Sequence, residues 1–457
     1  MSRADRVYST LIKRNEEQAQ KLREQARRQV GGNGLRQVSA AALQSSGDQT
    51  VNASTVLPWL LHALGAPAAL TGLLVPVREA GSMLPQAFLT PLILRVRHRK
   101  WAFVTGALVQ AAAVAVMTAV AALGRGLGAG LLIVAALTVF ALGRCLCSIS
   151  SKDVQGRTIP SGERGQINGL ATTAAGFVAI TLGLGIRFVG GTDLSAGQLA
   201  WLLGAGALLW VAVAVIYARI REPDDVDVEP TEPTKGSDDV RSQDGGPERR
   251  RSWFAETWMV LRDDPPFRRF VGVRSLLLVS SLSPPLVVAL SLDAGAQALT
   301  GLAGFIIASG LAALIGGRVF GSRADRSSRS VLRLGAALAS AVILAVVAMV
   351  SLPAFTGDTW WGSALFVVAY FSLTLLHTGV RVGRKTYLVD MAEGDRRTTY
   401  VAVSNSVLGL VLLLVGGISS ALVLLDIRLA LLLLAGMGLA GVIAATRLPE
   451  VSAGVSS

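Results

Sequence analysis

The sequence predicts an all-α polytopic membrane protein: twelve transmembrane helices in two six-helix bundles, related as a parallel repeat, with both termini in the cytoplasm. Three observations carry this expectation. Of the 457 residues, 52% are hydrophobic and 16% charged, where a soluble chain carries about 25% charged residues. The apolar residues form blocks of roughly 18–25 residues, long enough to cross a ~30 Å hydrocarbon core at 1.5 Å per residue. Basic residues then recur in every second loop between blocks.

In chain order, the first six blocks cover 36–64, 68–94, 101–123, 128–149, 167–189 and 198–218, and the second six cover 270–292, 298–320, 331–352, 360–380, 399–425 and 427–446. The first is interrupted by the polar run Gln44, Ser45, Ser46, Gly47, Asp48, Gln49, Thr50, yet its length and flanks still read as a span. Alternate loops hold Arg95, Arg97, Arg99 and Lys100; Lys152, Arg157 and Arg164; Arg323, Arg326 and Arg329; and Arg381, Arg384, Lys385, Arg396 and Arg397. The intervening loops hold little beyond Arg125, Arg187 and Arg428. Loss of one span would break the alternation, and the positive-inside rule puts both termini in the cytoplasm. Trp360 and Trp361 then sit in an external loop, suited to an interfacial belt.

This orientation also accounts for the net charge of +13, so no nucleic-acid partner is expected. Residues 1–34 are charged and lack the apolar core of a signal peptide. The predominance of Arg, Ala, Gly and Leu fits a GC-rich prokaryotic genome, hence the cytoplasmic (inner) membrane.

The expected domains are a polar N-terminal helix (1–35), a six-helix bundle (36–220), a cytoplasmic linker (221–264), a second bundle (265–448) and a cytoplasmic tail (449–457). The N-terminal segment has a thin apolar edge of Val7, Leu11 and Leu22; a solvated tail is favoured over attachment to the membrane surface. The linker opens acidic at Glu222, Asp224 and Asp225 and turns basic at Arg249, Arg250 and Arg251. Its piece from Trp253 to Leu261 is amphipathic.

The two halves resemble each other. Leu-Thr-Gly-Leu opens the second span at Leu70 and the eighth at Leu299, an offset of 229 residues. Gly162-Glu-Arg164 precedes the fifth span and Gly394-Asp-Arg396 the eleventh, an offset of 232 residues. Six crossings is an even number, so the repeats face the same way about an axis along the membrane normal, with a cavity between them.

After the eighth span, Gly321-Ser-Arg-Ala-Asp325-Arg326-Ser-Ser-Arg329 is similar to the G-x-x-x-D-R-x-x-R/K loop of the major facilitator superfamily. With its topology, the chain resembles a transporter of that family over residues 36–448. The resemblance makes Gly321, Asp325, Arg326 and Arg329 a cytoplasmic gate of ion pairs that break and reform. The equivalent first-half loop, Arg95 to Lys100, has no acid, so a latch there would need Glu163 or Asp153. Arg144 resembles the arginine of the family's R-x-x-Q-G pattern, with Cys147 and Ser148 in place of Gln and Gly. The fifth span lacks the glycine-proline pattern of drug/proton antiporters, which argues against a standard multidrug exporter and leaves efflux open.

Ionised side chains within spans are costly unless paired or wetted, so Asp48, Arg78, Glu79 and Arg144 are the substrate and coupling candidates. The resemblance places the first, fourth, seventh and tenth spans around the cavity. Asp48 and Arg144 would then face it, one binding substrate and the other coupling to protons; a static ion-pair network joining four helices is the alternative. Arg78 and Glu79 point about 100° apart and need not share a face. Gln44, Ser45, Ser46, Gln49, Asn52 and Ser54 suggest a wet face on the first span or polar contacts between helices. His62 reads as interfacial, His377 as a group without an acidic neighbour, and Cys145 and Cys147 as packing residues. Pro58, Pro76, Pro85, Pro284 and Pro285 mark bends.

The expected activity is secondary active transport of a small solute by a monomer, through alternating access, with protons as a candidate coupling ion and no cofactor or metal. A transporter-like sensor or scaffold without net transport is the alternative. An enzyme is disfavoured: no loop besides the linker could hold a domain, and no metalloprotease, nucleophile-elbow or phosphate-loop motif occurs in a suitable context. The 6% aromatic content argues against a cavity for large planar cations.

Overall fold

Several helix starts are legible in single residues. Ser195 and Gln198 form a reciprocal capping box before one helix. Asp264 accepts from Phe267 N at 2.9 Å ahead of another that begins with Pro265, the position where a missing N–H costs least. Ser327 and Asp426 cap two more.

The computed structural model describes residues 3–12, 20, 24–86, 88–89, 93, 96–160, 163–190, 194–223, 259, 261–296, 301–391 and 396–450. After α1 (Arg3–Leu11), the first half comprises α2 (Val30–Thr50), α3 (Val56–Ala63), α4 (Thr71–Met83), α5 (Arg99–Leu123), α6 (Gly126–Thr158), α7 (Arg164–Gly190) and α8 (Ala196–Ala218). The second comprises α9 (Pro265–Leu276), α10 (Val279–Asp293), α11 (Leu302–Arg326), α12 (Ser328–Val350), α13 (Trp360–Met391), α14 (Arg396–Val423) and α15 (Ile427–Ala445). Among the described residues, eight helices are long and apolar enough to cross a membrane, counting α9 and α10 as one. In α7 and α11 the apolar stretches are shorter, Thr173–Ile186 and Leu302–Gly316. Large apolar side chains such as Leu108, Leu132, Trp201, Leu208 and Leu414 face outward, as lipid-exposed helices require.

The halves pack by the same plan. Within the first, α5 packs on α6 and α8, and α4 on α6; within the second, α12 packs on α13 and α15, and α11 on α13. Between them, α4 packs on α14 and α7 on α11, contacts that exchange under the repeat. Small residues allow the close approaches: a Cβ on Gly106 of α5 would lie 2.6 Å from the Gly143 carbonyl of α6, and one on Gly143 2.7 Å from that of Gly106.

The first segment of each half is discontinuous. Residues 51–55 separate α2 from α3, where Asn52 turns the chain by accepting from Ser54 N at 2.8 Å. Leu277 and Leu278 separate α9 from α10. Pro284 and Pro285 follow within α10 and withhold the N–H groups that Ser280 and Ser281 carbonyls would accept.

Three sequence expectations change. The fourth and tenth helices outrun their apolar blocks by several residues, to Thr158 and Met391, because a helix lining an aqueous cavity needs no apolar continuation. Arg381, Arg384 and Lys385 are therefore helical rather than loop residues. The N-terminal helix is largely exposed but docked along one edge, and that edge is not Val7 and Leu11, which are 47% and 52% exposed. Its buried face is Tyr8, which with Ile12 packs against Val30, Ile159 and Ile167. Leu22, Gly162, Leu299, Gly394, most of the linker including Trp253, and the tail from Val451 lie outside the described residues.

Candidate functional site: a basic cavity between the halves

A cavity of about 740 Å³ lies between the two halves, lined from α2, α4 and α6 on one side and from α9, α10, α11, α13 and α14 on the other. That volume suits a small solute. The walls hold Arg78, Arg144 and Lys152 from the first half and Arg274, Arg381, Arg384 and Lys385 from the second, and among the described residues lining the cavity Glu79 is the acidic one. Neutral polar groups, including Gln49, Asn52, Ser54, Ser280 and Thr374, fill the space between.

Asp48 joins two helices in the first-half wall. Arg78 Nη2 donates to Asp48 Oδ1 at 2.9 Å, and Arg144 Nη1 donates to Oδ1 at 2.6 Å and to Oδ2 at 2.8 Å. Aromatic residues back this cluster. Arg78 lies over the Phe140 ring at 6.0 Å, and Phe140 meets Trp210 edge-to-face at 5.6 Å. Gly47 is where Trp210 approaches: a Cβ there would lie 2.8 Å from the indole nitrogen. Arg78 also reaches within 3.5 Å of the Val51 carbonyl, freed by the break after α2.

The four candidates read from the sequence thus come together. Asp48, Arg78 and Arg144 form one cluster, and Glu79 stands within electrostatic reach of both arginines and of Arg384 across the cavity. Among the described residues, the Glu79 carboxylate has no hydrogen-bond or salt-bridge partner.

The second-half wall was missed as a site. Arg274 is 8% exposed, and its guanidinium donates to Ser404 Oγ at 2.7 Å and Asn405 Oδ1 at 2.9 Å. His377 Nδ1 lies 3.4 Å from Ser280 Oγ. His377, Arg381, Arg384 and Leu388, spaced four, three and four apart, follow one helix face, a signal present in the sequence.

The proposed gate is only partly described. Gly321, Asp325 and Arg326 lie in α11, and their side chains are outside the described residues. Arg329 is bound to the segment after α15: its Nη1 donates to the Leu448 carbonyl at 3.0 Å and its Nε lies 3.6 Å from Glu450. In the first half, Asp153 accepts from Arg99 Nε at 2.9 Å, the acid-to-loop pairing expected there, whereas Glu163 accepts from Tyr8 at 2.7 Å.

One end of the cavity is closed. A Cβ on Gly416 of α14 would lie 2.2 Å from Pro76 of α4, and Ser420 Oγ donates to the Ala69 carbonyl at 2.5 Å. On the other side of the repeat, a Cβ on Gly183 of α7 would lie 2.6 Å from Ile307 of α11. Lys152, Lys385 and Leu388 line the opposite end, near the ends of α6 and α13.

The family model described as Major Facilitator Superfamily matches residues 38–375. The chain belongs to the major facilitator superfamily. Solved members share the fold at low identity. The D-xylose-proton symporter aligns with a TM-score of 0.66 at 11% identity, over 93% of this chain and 99% of that one. A POT family transporter in complex with 5-aminolevulinic acid gives 0.65 at 12%, covering 94% and 98%. The nucleoside transporter NupG gives 0.64 at 11%, covering 91% and 99%. No curated protein matches the sequence. This superfamily protein is a multi-pass membrane transporter, and its fold places the basic cavity between its halves.

Proposed function

We propose that the protein is a secondary transporter that moves a small solute across the cytoplasmic membrane by alternating access. In this reading the chain makes twelve crossings as two six-helix bundles, residues 36–220 and 265–448, with both termini cytoplasmic. The structure then represents the inward-facing state. The observation that carries the reading is the polar cavity between the bundles, with α4 packed on α14 and α7 on α11 among the described residues. Rocking about those glycine-lined contacts would close the cytoplasmic end and open the other.

Glu79 is the carboxylate available for proton coupling, since Asp48 is committed to two guanidiniums while Glu79 is not. The cluster at Asp48 serves to hold α2, α4 and α6 together around the cavity. On the cytoplasmic side the pair of Arg99 with Asp153 serves as a latch in this reading, and the segment 321–329 is its proposed counterpart in the second half.

The test is a solute-uptake screen in inverted and right-side-out vesicles, repeated after the proton gradient is collapsed. Flux that falls on collapse, and in Glu79→Gln, supports coupled transport. Flux indifferent to both removes the coupling role, and an absence of flux across the panel favours the sensor or scaffold alternative.

A further inference from the structure

The second-half wall of the cavity carries a charge that its own helices do not balance. Arg274, Arg381, Arg384 and Lys385 line it, and no acidic side chain from that half does among the described residues. The cations lie within electrostatic reach of one another: Arg384 acts on Arg274, and Arg381, Arg384 and Lys152 all act on Lys385. Like charges so placed repel, and the compact state bears the cost. Among the described residues, Glu79 from the opposite half is the charge that acts favourably on Arg384.

The two walls differ in kind. In the first, the guanidiniums of Arg78 and Arg144 already hold a carboxylate, that of Asp48. In the second, Arg274 is fixed by the neutral groups of Ser404 and Asn405, and among the described residues its buried Nε has no hydrogen-bond partner. Two of the five N–H donors of a guanidinium are thereby used, and one remains on each Nη. Guanidinium forks match the oxygens of carboxylate and phosphate. A neutral or cationic solute would leave the repulsion in this wall unrelieved.

We infer that the cavity takes a small organic anion, whose carboxylate or phosphate group is held by Arg274 and Arg384, with Lys152 and Lys385 at the mouth drawing anions inward. The inference rests on the transporter reading for its biological sense, but binding needs neither flux nor a gradient. Fixed positive charge at the mouth raises the local anion concentration and speeds capture, an effect that salt weakens.

The experiment uses the full-length protein in nanodiscs of zwitterionic lipid, at ionic strength held constant with chloride. Thermal unfolding and calorimetry are recorded with glucose 6-phosphate, succinate and inorganic phosphate, against glucose and choline. At least one anionic probe should bind and stabilise the protein while glucose and choline do not. Arg384→Gln should weaken that probe by about 10-fold or more, the usual worth of a charge-assisted hydrogen bond, with Arg384→Lys intermediate. The inference is overturned if no anion binds at millimolar concentration, if glucose or choline binds instead, or if Arg384→Gln binds the anion as tightly as wild type. Stabilisation seen only on replacing the lipid with phosphatidylglycerol would assign the wall to lipid headgroups and overturn it too. Arg384 has no described hydrogen-bond partner, so its variant keeps the test valid even where Arg274→Gln fails to fold. Anion binding without vesicle transport would count against the transporter reading alone.

Discussion

Asp48 accepts hydrogen bonds from Arg78 at 2.9 Å and Arg144 at 2.6 Å, so one carboxylate links three helices that the chain separates by 30 and 96 residues. Removing it leaves two cations facing each other. Asp48→Asn should therefore destabilise the protein by about 2–3 kcal/mol, somewhat below the ~3–5 kcal/mol of a fully buried pair because the Asp48 side chain is 20% exposed. Arg144→Gln should cost less, since Asp48 keeps Arg78. Thermal unfolding of both variants in one detergent gives the order; equal losses would show that the cluster does not share its carboxylate.

That cluster was legible in the sequence because charge inside an apolar block is conspicuous. Asp48, Arg78 and Arg144 each interrupt such a block, and the cost of burying them singly points to mutual pairing. The opposite wall was not legible by the same means. Arg381 ends its apolar block, and the positive-inside pattern assigned it, with Arg384 and Lys385, to a loop. Hydropathy cannot separate a cytoplasmic loop from a helix face turned toward water. The N-terminal helix differs for another reason: its thin apolar edge in the sequence is Val7, Leu11 and Leu22, while burial depends on Tyr8, whose hydroxyl donates to Glu163 across 155 residues of sequence.

A Cβ on Gly72 would lie 3.3 Å from Ser420 Cβ, slightly inside the ~3.5–4.5 Å typical of disulfides. The double variant Gly72→Cys with Ser420→Cys should oxidise readily in this state and pin α4 to α14. Cys145 and Cys147 are buried and should not compete. Transport by vesicles should fall on oxidation and return on reduction, with gel mobility reporting the bond. Full transport with the bond formed would mean that these helices need not part.

Tyr8→Phe removes the hydroxyl that donates to the buried Glu163 at 2.7 Å. A loss of about 1–3 kcal/mol is expected, because the change leaves a buried acceptor short of a donor. Hydrogen exchange should rise across residues 3–12 while α5 and α6 keep their protection. Unchanged exchange in α1 would show that the apolar contacts of Ile12 and Val30 suffice.

Glu222, beyond the end of α8, is pushed above the ordinary carboxylate range by burial, against smaller opposing effects from the Lys100 backbone and Arg157. Its folded-state pKa is raised, so its contribution to stability is full below the unfolded value and fades as pH rises through the folded one. Glu222→Gln should gain on wild type as pH climbs from acid toward neutral. Unfolding midpoints of the two proteins across that range check the sign, and parallel curves would refute it.

Two bundles that rock about the closed end of a basic cavity must part at that end. Spin labels at Arg125 and Asp358, exposed in loops of the first and second halves, report the separation of the bundles at that end without knowledge of the substrate. Double electron–electron resonance in nanodiscs should give a short distance matching this structure and a second, longer population that oxidation of the Gly72→Cys, Ser420→Cys pair abolishes. A single distance distribution, unaltered by pH, anions or the crosslink, would mean that the bundles do not rock about this end.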